Sequence, residues 1–378
     1  MSLSVNRKPL SVAILGTRGV PAGYGGFETF AEELGSRLAE RGHRVGVLGR
    51  TGYVDDQLFF YRRMRIMALP ALRHKYLETV SHSLLSMIVA AFSQWEVVLL
   101  CNAANSLWAW IPSLAGQKVI INVDGIERKR KKWNWAGRLF YRFSEFLATQ
   151  MADLVVADAR HIQQYYQTEY SCHTRFIAYG APVGTSETQQ VLEELGLEPD
   201  GFVLYVSRLE PENNAHLVIE AYLQSSCEVP LLVVGDAPYS RAYIRRLQDM
   251  ASQGNVILPG AIYGQGYREL LTHCRCFVQA TEVGGTHPAL IEAMGAGCIV
   301  LVNHTPENAE VVADCGLLYA FNDRSELATL LSQVGLDPGP YRVLGRRAQE
   351  RIMRHYNWDQ VVSEYEDACY SVLDNLAG

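Results

Sequence analysis

Short apolar runs alternate with longer segments of helical periodicity along almost the whole chain, and this alternation limits the folds open to it. The intervening segments, such as residues 28–41 and 76–94, space their apolar residues three and four positions apart. Strands that alternate with helices predict a parallel sheet covered by helices on both faces. The first series of predicted strands comprises residues 11–15, 44–48, 97–101, 118–123, 154–157 and 174–178.

The alternation pauses at residues 180–201, where Gly, Pro, Ser and Thr predict a linker. Because 378 residues exceed one ordinary core, we predict an α/β protein with two doubly wound Rossmann-like domains that face each other across a cleft. The first domain is predicted over residues 1–182 and the second over 183–355, with a last helix, about 356–378, that crosses back to the first. The second series of strands comprises residues 203–206, 231–234, 255–258, 276–279, 299–302 and 316–319.

Composition narrows the class of protein further. The net charge of −6 argues against a nucleic-acid partner. None of the eight cysteines forms a CxxC pair, so we expect reduced thiols, no metal site and a cytoplasmic protein. The N-terminus lacks a secretory signal, and the most apolar segment, residues 84–92, is far shorter than the roughly 20 residues that cross a bilayer. Contact with a membrane surface remains open.

A glycine-rich segment directly follows the first predicted strand. Five glycines fall within residues 16–26, just before a predicted helix, where they let the backbone approach a ligand and expose amides that bind anions. The spacing is neither the GxGxxG fingerprint nor a P-loop. We predict ligand binding here, and a turn without a ligand is the alternative. The residues assigned to binding are Gly16, Arg18, Gly25 and Gly26.

Two loops in the second half carry the features of an anion site. Arg208 follows the strand at residues 203–206, where its planar guanidinium is placed to bind a diphosphate; the alternative is a surface ion pair with Glu210 or Glu212. The segment at residues 284–287 precedes Pro288, which suits the first position of a helix whose N-terminus favours negative charge. Glu292, one turn into that helix, is predicted to bind ribose hydroxyls, and a surface carboxylate is the alternative.

Asp124 ends the predicted strand at residues 118–123 and is placed to face the cleft, although it is equally suited to capping the next turn. A basic run follows at once. Basic side chains beside tryptophans suit an anionic membrane or a lipid diphosphate, and a solvated surface is the alternative. The residues assigned to this contact are Arg128, Lys129, Arg130, Lys131, Lys132 and Trp133.

Five motifs carry a family resemblance: GTRGVPAGYGGFETF, INVDGIERKRKKWNW, VSRLEPENN, GDAPY and VGGTHPALIEAMG. Together they resemble the family-four glycosyltransferases of GT-B fold, and most closely the bacterial rhamnosyltransferase-like enzymes of cell-wall and capsular polysaccharide assembly. The similarity runs from about residue 11 to 358. It implies a retaining, metal-independent transfer of a sugar from a nucleoside-diphosphate sugar.

Two positions depart from the general family pattern. Gly284 stands where the family usually has the first of two glutamates, and Glu282 lies two residues earlier. Asn213 stands where the family usually has a diphosphate-binding lysine. Because both changes are similar to the rhamnosyl-type subgroup, we interpret them as adaptation to the donor. Arg208, the amides of residues 284–286 and Arg18 must then supply the positive potential.

The resemblance implies that the catalytic residues are Asp124, which orients or deprotonates the acceptor hydroxyl, Arg208 and Glu292. No cofactor is expected beyond the donor, for which dTDP-rhamnose is favoured and UDP- or GDP-sugars are possible. The expected acceptor is a lipid-diphosphate-linked saccharide or an oligosaccharide at the inner face of the cytoplasmic membrane. The residues assigned to the donor are Gly16, Arg18, Gly25, Gly26, Asn213, Gly235, Asp236, Ile262, Tyr263, Gly284, Gly285, Thr286 and His287.

Two other functions are compatible with the same fold. One is a nucleotide-sugar epimerase or a phosphorylase, which would release an epimer or a free sugar without an acceptor. The other is an inactive module that binds a nucleotide-sugar without turning it over, as the departures at Gly284 and Asn213 would allow. A dinucleotide oxidoreductase is disfavoured, because neither glycine loop has the required fingerprint.

Overall fold

The computed structural model describes residues 7–23, 25–72, 74, 77–130, 133–237 and 240–374. The chain divides into two compact units. Unit 1 comprises the chain up to Tyr179 together with the segment from Trp358 onward, and unit 2 comprises Gly180–Asn357. Each unit is built on a mainly parallel sheet, which confirms the predicted α/β class with two Rossmann-like units.

Unit 1 contains an eight-stranded sheet. Its strands are β1 (Ser11–Leu15), β2 (Arg44–Arg50), β3 (Phe60–Tyr61), β4 (Met64–Leu69), β5 (Val97–Cys101), β6 (Lys118–Val123), β7 (Leu154–Ala157) and β8 (Arg175–Phe176). The order is β3-β4-β2-β1-β5-β6-β7-β8, and only β3 is antiparallel to its neighbour. The chain therefore changes direction of winding between β1 and β5, the point at which such sheets bind ligands.

Helices cover the apolar strands of unit 1, and this explains why the strands are continuous apolar runs. All five residues of β5 and the last five of β6 are buried. The helices are α1 (Gly26–Glu40), α2 (Glu78–Ala91), α3 (Trp110–Leu114), α4 (Trp135–Met151) and α5 (Arg160–Tyr170).

Unit 2 contains a six-stranded, all-parallel sheet in the order β11-β10-β9-β12-β13-β14, whose winding changes direction between β9 and β12. The strands are β9 (Val203–Val206), β10 (Leu231–Val234), β11 (Val256–Gly260), β12 (Cys276–Gln279), β13 (Val300–Asn303) and β14 (Leu317–Tyr319). The helices are α6 (Gln190–Leu195), α7 (Ala215–Gln224), α8 (Arg241–Ala251), α9 (Gly264–His273), α10 (Pro288–Gly295), α11 (Pro306–Val312), α12 (Arg324–Leu336) and α13 (Arg342–His355).

The last helix, α14 (Trp358–Asp374), belongs to unit 1. Its Tyr365 hydroxyl accepts a hydrogen bond of 2.7 Å from Asn122 Nδ2 at the end of β6, and its ring packs edge-on against Phe30 of α1. The preceding helix, α13, belongs to unit 2, so the chain passes from unit 2 back to unit 1 between α13 and α14.

The short strands β3 and β4 were not predicted, because their signals are weak. They form a hairpin whose turn residues, Arg62 and Arg63, have φ angles of 44° and 65°. Such a turn is usually marked by Asn-Gly or Asp-Gly. Here Arg62 is held instead by ion pairs to Glu32 and Glu33 of α1, contacts that a local pattern does not reveal.

Candidate active site

Arg208 lies in the loop that follows β9, at the carboxyl edge of the unit 2 sheet. Its side chain is half-buried, and among the described residues no carboxylate forms an ion pair with its guanidinium. The proposed alternative, a pair with Glu210 or Glu212, is therefore wrong for this structure. A half-buried guanidinium that forms no ion pair within the described part of the chain is suited to an anionic ligand at this edge.

Asn213 fixes the position of the Arg208 loop. Its amide Nδ2 donates a hydrogen bond of 2.6 Å to the carbonyl oxygen of Arg208, and only 6% of the residue is exposed. The carbonyl of Asn213 accepts in turn from the hydroxyl of Tyr205 on β9. The side chain of Asn213 thus holds the backbone of Arg208, and its assignment to donor binding stays a prediction.

The loop after β10 packs directly against the Arg208 loop. Gly235 has a φ angle of 148°, and a Cβ atom there would overlap the carbonyl oxygen of Ser207, so only glycine fits. The carbonyl of Asp236 accepts a hydrogen bond from the amide of Leu209, and its carboxylate accepts one of 2.7 Å from the amide of Ala237. The structure thus brings Gly235 and Asp236 beside Arg208.

The segment before α10 is compact, and it explains the departure at Gly284. The imidazole ring of His287, the residue that precedes the helix, lies over Gly284, and a Cβ atom at position 284 would overlap the ring. Pro288 occupies the first turn of α10, as predicted, and Thr286 is buried. A glutamate at position 284 would require His287 to move.

Glu282 does not stand in for the missing glutamate. Its Oε1 accepts hydrogen bonds from Asn214 Nδ2 at 3.2 Å and from Asn322 Nδ2 at 2.8 Å. Asn303 extends this amide network by donating to Asn322 Oδ1. The carboxylate of Glu282 therefore connects Asn214, which follows β9, with Asn322, which follows β14.

Glu292 lies one turn into α10 and is half-buried. Its Oε2 accepts a hydrogen bond of 2.8 Å from the hydroxyl of Tyr267 on α9. Burial, and then the neighbouring Glu292 carboxylate, raise the pKa of Tyr267 well above its usual range, so this phenol remains a hydrogen-bond donor. Tyr267 was not predicted, because only the tertiary structure brings α9 beside α10.

Ile262 and Tyr263 lie between β11 and α9, at the same carboxyl edge of the sheet. Ile262 is half-buried, and 52% of Tyr263 is exposed. Because all six strands of unit 2 are parallel, the residues assigned to the donor in this unit meet along one edge.

The first glycine-rich loop lies at the carboxyl edge of unit 1, where carboxylates from α1 hold it. The amide of Arg18 donates a hydrogen bond of 2.8 Å to Glu28 Oε1, and the amide of Ala22 donates one of 2.6 Å to Glu32 Oε2. The guanidinium of Arg18 stacks 4.7 Å from the centre of the Tyr53 ring. Gly25 precedes α1 and Gly26 begins it, while Gly16 accepts from Asn105 Nδ2.

Asp124 follows β6 at that edge, in a cluster of acidic residues. Burial, and then the charges of Asp124 and Asp158, raise the pKa of the Tyr179 hydroxyl well above its usual range. The pKa of the Cys101 thiol is also raised well above its usual range, first by burial and then by the charges of Glu28 and Asp124. Asp158 is fully buried and Glu28 nearly so. The sequence interpretation identified Asp124 but not these two neighbours.

Two arginines of the basic run, Arg128 and Arg130, are held by neighbouring side chains. Arg128 Nε donates a hydrogen bond of 2.6 Å to the Tyr165 hydroxyl and lies 3.5 Å from Glu145 Oε2. Arg130 is buried and pairs with Glu127 at 2.8 Å. The ring of Trp133 packs against Tyr141 at 5.0 Å. The side chain of Lys129 and all of Lys131 and Lys132 lie outside the described residues.

A cavity of about 550 Å³ opens in unit 1 away from these edges. It is lined by residues that include Arg44, Arg65 and Trp95, which lie at the amino-terminal ends of β2, β4 and β5. Parallel α/β sheets bind their ligands at the opposite edge, so we do not assign this cavity to the donor. Across the described residues, no group of three or more His, Cys, Asp or Glu side chains is arranged to hold a metal ion.

Two Rossmann-like units on parallel sheets place the chain in the GT-B fold class. Residues 188–351 match the model of the "Glycosyl transferases group 1" family, and residues 98–182 match a domain of unknown function, DUF1972. The match to the group 1 glycosyl transferases thus covers most of unit 2.

Three curated relatives are glycosyltransferases or related synthases by name. The N-acetyl-alpha-D-glucosaminyl L-malate synthase of Bacillus anthracis is 25% identical over 49% of this chain and 49% of its own length. The O-antigen chain mannosyltransferase B of Escherichia coli is 22% identical over 63% and 61%. The N-acetylgalactosamine-N,N'-diacetylbacillosaminyl-diphospho-undecaprenol 4-alpha-N-acetylgalactosaminyltransferase of Campylobacter jejuni is 23% identical over 50% and 52%. The matched region thus spans about half to three fifths of these relatives.

Solved structures share the fold over nearly the whole chain. The sucrose-phosphate synthase of Thermosynechococcus elongatus superposes with a TM-score of 0.82 at 20% identity, covering 98% of this chain and 100% of that one. Anabaena Alr3699/HepE in complex with UDP and glucose superposes with a TM-score of 0.78 at 18% identity, covering 96% and 100%. At these identities the likeness establishes the fold alone.

Proposed function

We propose that this protein is a glycosyltransferase of glycan synthesis that transfers a sugar from a nucleoside-diphosphate sugar. The observation that carries the proposal is Arg208: a half-buried guanidinium without an ionic partner among the described residues, fixed by Asn213 at the carboxyl edge of the unit 2 sheet. The N-terminus of α10 lies in the same unit and adds its amide dipoles. Together these groups suit a diphosphate.

In the proposed reaction, Arg208 and the amides of residues 284–286 stabilise the charge that develops on the departing diphosphate. Glu292, oriented by Tyr267, binds the ribose hydroxyls of the donor. Asp124 orients or deprotonates the acceptor hydroxyl. The family resemblance implies retention of the anomeric configuration, without a metal ion.

Three nucleoside diphosphates are candidates for the nucleotide part of the donor. UDP and UDP-glucose occur in complexes of Anabaena HepE, which supports testing UDP-sugars first. The motif resemblance favours dTDP-rhamnose, and GDP-sugars remain a third choice. The sugar itself is proposed to be rhamnose on the resemblance alone.

The proposed acceptor is a lipid-diphosphate-linked saccharide. One relative, the transferase of Campylobacter jejuni, has a diphospho-undecaprenol acceptor in its name, which supports this choice. Such an acceptor implies a cytoplasmic protein that works at the inner face of the membrane. Among the helices of the described residues, none has both the length and the apolar character of a membrane span.

The decisive experiment compares nucleotide binding and turnover in Arg208→Ala with wild type. We expect turnover of the donor to fall about 100-fold, the scale for losing one electrostatic donor. Calorimetry with UDP, dTDP and GDP then identifies the base. Arg346→Gln is the matched control, because Arg346 is an exposed arginine on α13 of the same unit. Wild-type kinetics in Arg208→Ala would refute the phosphate assignment.

The same assay separates the alternative functions. Release of a free sugar or an epimer without an acceptor would indicate a phosphorylase or an epimerase. Binding of nucleotide with no turnover of any donor, in the presence of acceptors, would indicate an inactive binding module. Transfer to a lipid-linked saccharide supports the proposal.

A further inference from the structure

One face of α4 exposes a row of large apolar side chains. Trp135, Leu139, Phe143 and Phe146 are 78%, 60%, 50% and 47% exposed. Their spacing of four, four and three residues places them on a single face of the helix. The row is about 17 Å long at the helical rise of 1.5 Å per residue. We call it the apolar row of α4.

Scattered apolar residues are normal on protein surfaces, but a contiguous row of this size usually marks a contact surface. The opposite side of α4 already packs inside unit 1, where Ser144, Glu145 and Ala148 are buried. Burial against the core therefore accounts for the inner face of the helix and leaves the apolar row unexplained.

The charges on α4 indicate what covers the row. Arg138 and Arg142 lie along the same face, and both are exposed. Among the described residues neither forms an ion pair. They are the only charged side chains that the helix exposes in this way, because its single acidic residue, Glu145, is buried.

Neighbouring side chains of unit 1 compensate the negative charge of Glu145. Its Oε2 accepts hydrogen bonds of 2.7 Å from the hydroxyls of Tyr165 and Tyr170, and Arg128 lies 3.5 Å away. The exposed face of α4 thus carries two positive charges and no negative one, although the chain has a net charge of −6. This local charge attracts anions and would repel the same face of a second copy.

We propose that α4 lies in the plane of an anionic lipid bilayer. The apolar row enters the boundary between headgroups and acyl chains, and Arg138 and Arg142 contact the lipid phosphates. This membrane contact rests on the proposed function in one respect: a lipid-linked acceptor would lie in such a bilayer. We assign the contact to α4 and not to the basic run before it, because Arg128 and Arg130 are held inside unit 1.

Co-sedimentation of the full chain with vesicles tests the proposal, without nucleotide or acceptor. We expect binding to vesicles of phosphatidylglycerol and phosphatidylcholine, weaker binding to phosphatidylcholine alone, and a loss of this difference at high salt. Leu139→Ser/Phe143→Ser should lower the partition coefficient at least tenfold for both vesicle types. Arg138→Gln/Arg142→Gln should lower it about tenfold for the anionic vesicles only.

Matched controls come from unit 2. Leu336→Ser removes an apolar side chain that is 86% exposed on α12, and Arg346→Gln removes an exposed cation on α13; neither should change vesicle binding. A blue shift of tryptophan fluorescence on vesicles should disappear in Trp135→Leu. Because the altered residues are exposed, the melting temperatures should match wild type.

Three outcomes would overturn the proposal. The first is undiminished vesicle binding by the Leu139→Ser/Phe143→Ser variant. The second is an equal loss in the Leu336→Ser control. The third is a wild-type dimer in sedimentation velocity that this double variant splits, which would make a second copy the occupant. Calorimetry of UDP binding without vesicles is read separately, so failure of the membrane contact is distinguishable from failure of the proposed function.

Discussion

The hydroxyl of Tyr267 donates a hydrogen bond of 2.8 Å to Oε2 of Glu292, and this contact orients the carboxylate that we assign to the donor ribose. The two residues come from different helices, α9 and α10, of the same unit. The carboxylate is thus held before any ligand arrives, which reduces the entropy lost on binding.

The first prediction concerns the ribose contact. Glu292→Gln should weaken binding of UDP about tenfold, because a charge-assisted hydrogen bond becomes a neutral one. It should also reduce the preference for UDP over 2′-deoxy-UDP, measured by calorimetry. Tyr267→Phe should have a smaller effect in the same direction. Glu350→Gln, on exposed α13, is the control. An unchanged preference in Glu292→Gln would place the ribose elsewhere.

The second prediction concerns the stacking of His287 on Gly284. Gly284→Ala should lower donor turnover by an order of magnitude, because the new methyl group displaces the imidazole at a cost of about 1–3 kcal/mol. In a His287→Ala background the same substitution should have little further effect, since the clash is gone. Steady-state kinetics of the four proteins gives the coupling. Equal losses in both backgrounds would contradict the packing argument.

The third prediction concerns the buried amide of Asn213. Asn213→Ala should destabilise the protein by about 1–2 kcal/mol in urea unfolding and weaken nucleotide binding, because the Arg208 carbonyl loses its side-chain donor. Asn213→Lys restores the usual family residue, yet it should also destabilise, since an ammonium group would occupy a nearly buried position. Tighter nucleotide binding with unchanged stability in Asn213→Lys would show that a lysine reaches the phosphates.

The fourth prediction is a pH dependence of stability. His82 is buried, with Nε2 2.9 Å from the carbonyl of Gly49 on β2, and burial lowers the pKa of His82 from 6.5 to about 4. The unfolded chain therefore takes up this proton first. Stability from this group is complete above pH 6.5 and is lost as the pH falls towards 4, by on the order of 3 kcal/mol.

Urea unfolding at pH 7 and pH 5 measures this effect. The difference in free energy of unfolding between the two pH values should be smaller in His82→Gln than in wild type. His304→Gln is the control, because His304 is exposed. The same difference in wild type and His82→Gln would rule out His82 as the titrating group.

Periodicity predicted the framework of the fold because parallel strands covered on both faces leave a continuous apolar signature. The limits of β1, β5, β6, β7, β9, β10 and β12 are confirmed to the residue. The edge hairpin of β3 and β4 was not predicted, because its turn has Arg62 and Arg63 in place of the usual turn residues.

Residue type and position were enough to select the candidates: Arg208 and Asp124 directly follow strands, and Glu292 lies one turn into a helix. The contacts of these side chains could not be predicted, because their partners lie far away in the sequence. Tyr267, for example, is 25 residues from Glu292. The same limitation applies to the two arginines of the basic run that the structure describes. The sequence assigns Arg128 and Arg130 to a membrane or lipid-diphosphate contact, and it does not reveal that Arg128 lies beside Glu145 on α4 or that Arg130 is buried.

The order of residues alone determined two α/β units and the loops at the strand ends, and it selected the candidate anion site. Local periodicity and the placement of glycine and proline are encoded within short windows. The tertiary structure alone decided which side chains are held and which are exposed: Asn213 behind Arg208, His287 over Gly284, and the apolar row of α4 on the surface. Burial and pairing depend on residues that meet only when the chain has folded.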